Sequence, residues 1–191
     1  MNAETRTPRS IRTRRAVLAA TVALLTEGGV PAATIDAIRD RSGVSKTTIY
    51  KHWPGRLCVA VDAFTEQLEL STDLPDTGTA RGDLTEQAKR VTAFYRSPFG
   101  AVLVQLLAAC AQDPVASGWL GERFTASRDH GVEQLWARAV ERGEVRADID
   151  PDVAMDLLFG PLMWRIVSGR ESLGDDEAAQ LLDAALSGLL A

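Results

Sequence analysis

The stretch 33–53, ATIDAIRDRSGVSKTTIYKHW, leaves this chain little conformational freedom. Thr34 is a good N-cap for a short helix over 35–42, with Asp36 in its first turn, where the helix dipole favours an acid. Ser42-Gly43 breaks that helix, and Gly43 can take positive φ at no steric cost. Ser45 caps a second helix that runs through Trp53 and stops at Pro54-Gly55. Ile35, Ile38, Val44 and Ile49 supply a small core that fixes the angle between the two helices. The second helix is left with an outward face of Lys46, Thr47, Tyr50 and Lys51, with Thr48 beside it. Short or polar side chains near a helix N-terminus suit a recognition helix entering the major groove. A lysine there donates to guanine O6/N7, and a threonine methyl meets the thymine methyl. Tyr50, His52 and Arg56 lie where they can donate to phosphates.

Around this motif nearly every segment reads helical. A first helix over 10–27 carries a stripe of Val17, Thr21, Leu24 and Leu25, with Arg12, Arg14 and Arg15 before it, and Gly28-Gly29 stops it. A fourth helix follows over about 56–70, aligning Leu57, Val61, Phe64 and Leu68. Residues 71–82, STDLPDTGTARG, read as a loop and a boundary. Beyond it helices are expected over about 83–96, 99–111, 118–142, 151–168 with a kink at Gly160-Pro161, and 176–190. The expected class is all-α: a three-helix head over 9–70, with the helix-turn-helix at about 33–52, and a helical body over 83–191.

Charge separates the same two parts. Residues 1–60 hold ten Lys and Arg against four acids, a local +6, whereas the whole chain is −5, so the remainder carries −11. A basic head on an acidic body implies that only the head meets a polyanion. No run of about 18 apolar residues suggests a membrane span, and no apolar leader is read at the N-terminus. Cys58 and Cys110 read as buried free thiols, which points to a cytoplasmic protein. With only His52 and His130, neither in a metal spacing, and no HExxH, GxSxG, P-loop or dinucleotide glycine pattern, neither an enzyme nor a cofactor is expected.

The segment GVSKTTIYKHWPGR closely resembles the recognition segment of the tetracycline-repressor (TetR) family of bacterial regulators. The resemblance extends upstream through Glu27-Gly28-Gly29 and Thr34, and downstream to Arg56, covering about 60 residues. It implies backbone contacts to double-stranded operator DNA from Thr34, Ser45, Thr48, Tyr50, His52 and Arg56, and base reading by Lys46, Thr47 and Tyr50. Lys51 is placed with the backbone contacts. Arg39 departs from the pattern, which usually has a small alanine there, so its long stem must snorkel outward, toward phosphate. Leu57 stands where an acid is usual.

In the body, 151–168 and 176–190 have wide apolar faces, so they can either form the core of one chain or, as expected here, pack with their twofold mates as a four-helix interface with Leu158, Leu162, Leu182 and Leu189 in it. The resemblance implies the same homodimer. An apolar or amphipathic small molecule is expected between the helices of the body, with Trp119, Trp136 or Phe159 near it. The expected function is a ligand-responsive repressor that binds a palindromic operator as a dimer. The alternative is an effector-independent DNA-binding or architectural protein.

Overall fold

The computed structural model describes residues 8–70, 74–169 and 174–187, and their side chains except at 8, 9, 70 and 124–132. The side chains of Phe124 and His130, and all of Leu189, lie outside the described residues. The helices are α1 (Pro8–Ala32), α2 (Ile35–Ser42), α3 (Lys46–His52), α4 (Arg56–Leu70), α5 (Ala80–Arg96), α6 (Val102–Cys110), α7 (Pro114–Glu141), α8 (Pro151–Val167) and α9 (Asp175–Leu186). They pack as two units. One holds the described residues up to 67 together with 101–123, and the other holds 68–100 and the residues from 124 onward.

In the first unit α1 packs on α2 and on α6. Val17, Leu18, Thr21 and Leu25 form its buried stripe, and the Thr21 hydroxyl donates to the Val17 carbonyl at 2.8 Å. Helical geometry breaks at Gly28-Gly29, where Gly29 has φ of 66°. A side chain there would overlap Gln105 of α6, whose Oε1 accepts the Val30 N–H at 2.9 Å. In the helix-turn-helix, α3 ends at His52, one residue before the expected Trp53, which is its C-cap. Thr34 Oγ1 accepts the Ala37 N–H at 3.1 Å, Gly43 sits at φ of 70°, and Ser45 Oγ accepts the Thr48 N–H at 3.3 Å. Its core is Ala33, Ile38, Ile49 and Trp53, all fully buried, whereas Ile35 and Val44 are half-buried. In α4 every side chain from Leu57 to Thr65 is buried, so this helix is covered all round rather than along one stripe.

The second unit is built from α5, α8, α9 and the later part of α7. Its core includes Leu84, Leu135, Trp136, Met155, Leu158, Leu162, Leu182 and Leu186. Three residues expected at a dimer interface, Leu158, Leu162 and Leu182, are fully buried within this core of a single chain, because α8 and α9 turn them toward each other and toward α5. The exposed apolar side chains of α8 are instead Val153, Leu157 and Trp164, which recur at helical spacing along one face. α8 runs as one helix through Gly160-Pro161. The carbonyl that Pro161 cannot bond belongs to Leu157, an exposed residue, so water is at hand to satisfy it.

Three helix starts differ from the sequence expectation by three residues or more. α5 begins at Ala80 because Thr79 caps it, accepting the Gly82 N–H at 3.1 Å. The Ala80 N–H is taken by the Glu144 carboxylate. α6 begins at Val102 rather than 99, after a cap residue, Ala101, with no side-chain bond. α7 begins at Pro114 because the Asp113 carboxylate accepts the N–H groups of Val115 and Ala116 at 3.0 and 3.1 Å.

Candidate nucleic-acid interface

Seven residues make α3 only about two turns long, and a single side chain of it, Ile49, is buried. Ile49 points in; Thr47, Tyr50, Lys51 and His52 are exposed, with Tyr50 54% accessible. Lys46 is half-buried, and its Nζ lies 2.7 Å from Asp36 Oδ1 on α2. That bond is the main cause of a carboxyl pKa below the ordinary value for Asp36. Thr48 is half-buried, with its hydroxyl 2.9 Å from that of Ser45. Ser45 and Thr34 are both exposed caps. Of the expected contact residues, Thr34, the cap of α2, and Ser45, the cap of α3, are thus exposed with Thr47, Tyr50, Lys51 and His52, whereas Lys46 and Thr48 are half-buried.

Two arginines behave differently from the expectation. Arg39 does extend outward, but its guanidinium pairs with Asp36 at 3.0 Å and Asp40 at 2.6 Å rather than standing open to phosphate. The Asp40 bond holds the Arg39 pKa above its ordinary value. Arg56 opens α4 and is exposed, and its Nη1 donates to the Val30 carbonyl at 3.1 Å. It thus ties α4 to the corner between α1 and α2 while remaining at the surface.

Sequence reasoning missed what holds the far end of α3. Trp53 closes the helix by donating its backbone N–H to Ile49 at 3.0 Å, and its indole Nε1 donates to Asp62 Oδ2 at 2.9 Å. Asp62 is only 2% exposed. The usable signal was a lone acid inside the apolar run LCVAVDAF, since a buried carboxylate demands partners.

The three aromatic residues expected near a ligand are not equivalent. Trp136 is buried in the core of the second unit and Phe159 is half-buried against it. Trp119 belongs to the first unit, and its indole N–H is committed to Asp62 Oδ1 at 2.8 Å. Among the described residues, no cluster of three His, Cys, Asp or Glu could hold a metal ion, and no helix is long and apolar enough to cross a membrane. Cys58 and Cys110 are buried and free.

Comparison with known proteins agrees with this geometry. Residues 17–56 match the family model for bacterial regulatory proteins, tetR family, and residues 74–185 match that for the tetracyclin repressor-like C-terminal domain. The HTH-type transcriptional regulator YdeS of Bacillus subtilis (strain 168) is 32% identical over 184 residues, covering 96% of this chain and 93% of that protein. AqdR of Rhodococcus erythropolis, another HTH-type transcriptional regulator, is 29% identical over 182 residues, covering 95% and 86%. The crystal structure of the TetR family transcription regulator SCO0332 superposes with a TM-score of 0.83 at 31% identity, covering 93% of this chain and 98% of that one. FadR of Bacillus subtilis, solved in complex with stearoyl-CoA, shares the fold at a TM-score of 0.66 and 17% identity, covering 91% and 98%. Two family models, full-length relatives and an exposed, capped recognition helix converge on one conclusion: the chain belongs to the TetR family and is a helix-turn-helix transcriptional regulator.

Proposed function

We propose that this regulator is a cytoplasmic repressor that binds a palindromic operator as a homodimer, through Lys46, Thr47 and Tyr50 at base edges and Thr34, Ser45, Thr48, Lys51, His52 and Arg56 at the backbone. The observation that carries the reading is the exposed face of α3, polar and cationic and anchored at both ends by Ser45 and Trp53. The reading takes 9–70 as the DNA-binding part and 83–191 as the regulatory part, while the compact unit that holds the described residues up to 67 also takes in 101–123. The exposed stripe Val153, Leu157 and Trp164 supports pairing of α8 with its twofold mate, in place of the buried Leu158, Leu162 and Leu182.

The reading includes release by a small amphipathic molecule in the second unit and no catalytic step. Its support is the match to the repressor-like C-terminal domain, together with two buried polar atoms of α5, Gln87 Oε1 and Thr92 Oγ1, that have no hydrogen-bond partner among the described residues. Buried polar atoms left unpaired are costly, and a ligand hydroxyl or N–H would satisfy them. FadR, of the same fold, carries stearoyl-CoA.

The test is selection of duplexes from a random-sequence library by the full-length protein. An enriched inverted repeat with half-sites about one helical turn apart, or a multiple of it, supports the reading. Enrichment of no sequence overturns it. Saturable release of that duplex by an amphipathic compound separates the effector-responsive regulator from the effector-independent alternative.

A further inference from the structure

The Asp62 carboxylate, in the middle of α4, receives four donors arranged as two matched pairs. Oδ2 accepts Arg14 Nη2 at 2.6 Å and Trp53 Nε1 at 2.9 Å. Oδ1 accepts Trp119 Nε1 at 2.8 Å and Arg123 Nε at 2.8 Å. Within each pair the guanidinium also lies over the indole, 5.3 Å from ring centre for Arg14 on Trp53 and 4.9 Å for Arg123 on Trp119. Both are cation–π distances. One pair comes from α1 and the end of α3; the other comes from α7, one turn apart. An ionised carboxylate offers about four lone-pair sites, so this one is fully subscribed.

We propose that Asp62 is a positioning residue for operator binding: by accepting from the Trp53 indole on one oxygen and from Trp119 and Arg123 on the other, its carboxylate sets where α3 sits and makes that placement depend on α7. The proposal rests on the reading that α3 contacts DNA. Trp53 is both the C-terminal cap of a seven-residue helix and a fully buried ring. A shift of its indole therefore tilts α3 as a body and moves Thr47 and Tyr50 with it. Withdrawing the α7 pair would strip Oδ1 of both donors and leave a buried charge half-solvated, which the site resolves by moving or by protonating. Trp119 and Arg123 stand one turn apart on α7, so a change in that turn reaches the carboxylate directly. Trp53 and Trp119 are thus coupled through one shared acceptor, although 66 positions separate them in the chain.

The test uses the full-length protein, the duplex it enriches from a random library, and a scrambled duplex. Trp119→Phe keeps the ring and removes the N–H; Asp62→Asn keeps the shape and removes the charge. Amide exchange of the 46–53 segment in DNA-free protein is compared with that of 80–96. If Trp119→Phe lowers the properly placed population to about a tenth, affinity for the enriched duplex falls about tenfold, while the scrambled duplex changes by less than about twofold. Exchange at 46–53 rises and exchange at 80–96 does not. Trp53→Phe combined with Trp119→Phe costs less than the product of the single losses, because both act on the same carboxylate. Wild-type exchange at 46–53 in both single variants overturns the proposal. So do equal losses on the two duplexes with exchange rising equally in both segments, the pattern of a merely destabilised chain. Should Asp62→Asn fail to fold, Trp119→Phe carries the comparison. Should the wild type enrich no duplex, the DNA reading is what fails, and the exchange comparison alone decides whether Asp62 positions α3.

Discussion

Trp164→Ala is expected to break the dimer without harming the core of the protomer. Trp164 is 67% exposed on α8, with Val153 at 52% and Leu157 at 50% on the same face. A tryptophan can bury about 150–250 Å², so roughly 100–170 Å² of Trp164 stands open in one chain. If a twofold mate covers about 60–80 Å² of that, truncation to Ala forfeits about 1.5–2 kcal/mol per copy at ~25 cal/mol/Å². A twofold interface counts the loss twice, about 3–4 kcal/mol, which raises the dimer Kd by roughly two to three orders of magnitude. Leu182→Ala acts elsewhere: that side chain is fully buried in its own chain, and its loss should cost about 2–5 kcal/mol of protomer stability. Sedimentation over a concentration series reads the Kd, and urea unfolding below the dimer Kd reads the protomer. A wild-type monomer at micromolar concentration, or an unchanged Kd in Trp164→Ala, would refute the assignment of the stripe.

Lys46→Ala should cost about 1–3 kcal/mol on the enriched duplex and less on a scrambled one, read by titration at fixed salt; equal losses would move Lys46 to the backbone contacts. Arg56→Ala should weaken both duplexes and reduce the salt slope by about one counterion per half-site, with some added loss of stability from the bond to the Val30 carbonyl. Burial pushes the Asp62 carboxyl up, but the bonds from Trp119 and Trp53 and the charge of Arg14 outweigh it, so its folded pKa lies below the ordinary 3.8. A lowered folded pKa stabilises above the unfolded value and loses that stability as pH falls through the folded one. The stability gap between wild type and Asp62→Asn should therefore be full at pH 7 and close only below about pH 4, as followed by urea unfolding across pH.

Local chemistry made the head legible. Thr34, Gly43 and Ser45 act within a few residues of themselves, so their caps and the positive φ follow from the sequence alone. The same logic applied at Asp150-Pro151, where Asp150 accepts the Asp152 N–H at 2.9 Å. It applies equally at Asp113-Pro114, but Gly118 and Gly121 so weaken the helical pattern there that the start of α7 was displaced. What stayed illegible depends on partners far along the chain. Donors of the Asp62 cluster lie up to 61 positions from the carboxylate they share, and no period reports such a pairing. For α8, the apolar positions outnumber what one face can hold, so composition shows that two faces are apolar without saying which one the chain covers itself. Leu158 and Leu162 fell to the inner face, Leu157 and Trp164 to the outer.

Capping and phosphate contact compete for the same side chains only in appearance, because they use different parts of a hydroxyl. Ser45 accepts the Thr48 N–H through a lone pair, and the Ser45 and Thr48 hydroxyls share one hydrogen bond between them. Two hydroxyls carry two protons; one is spent in that bond, and the other is left to donate to a phosphate oxygen. Thr34 likewise accepts from Ala37 and keeps its own proton. If these hydroxyls meet phosphates as proposed, the caps hold them in place before DNA arrives, which lowers the ordering cost of the contact. Substitution can split the two roles. Ser45→Ala loses both, at about 1 kcal/mol of stability for the cap. Ser45→Asp keeps the cap, since Asp is as good an N-cap as Ser, but it removes the proton and sets a negative charge beside the phosphates. It should unfold within about 0.5 kcal/mol of wild type and yet bind both enriched and scrambled duplexes at least tenfold more weakly at low salt, about 1.4 kcal/mol. Wild-type binding by Ser45→Asp would show that Ser45 serves α3 alone and touches no phosphate.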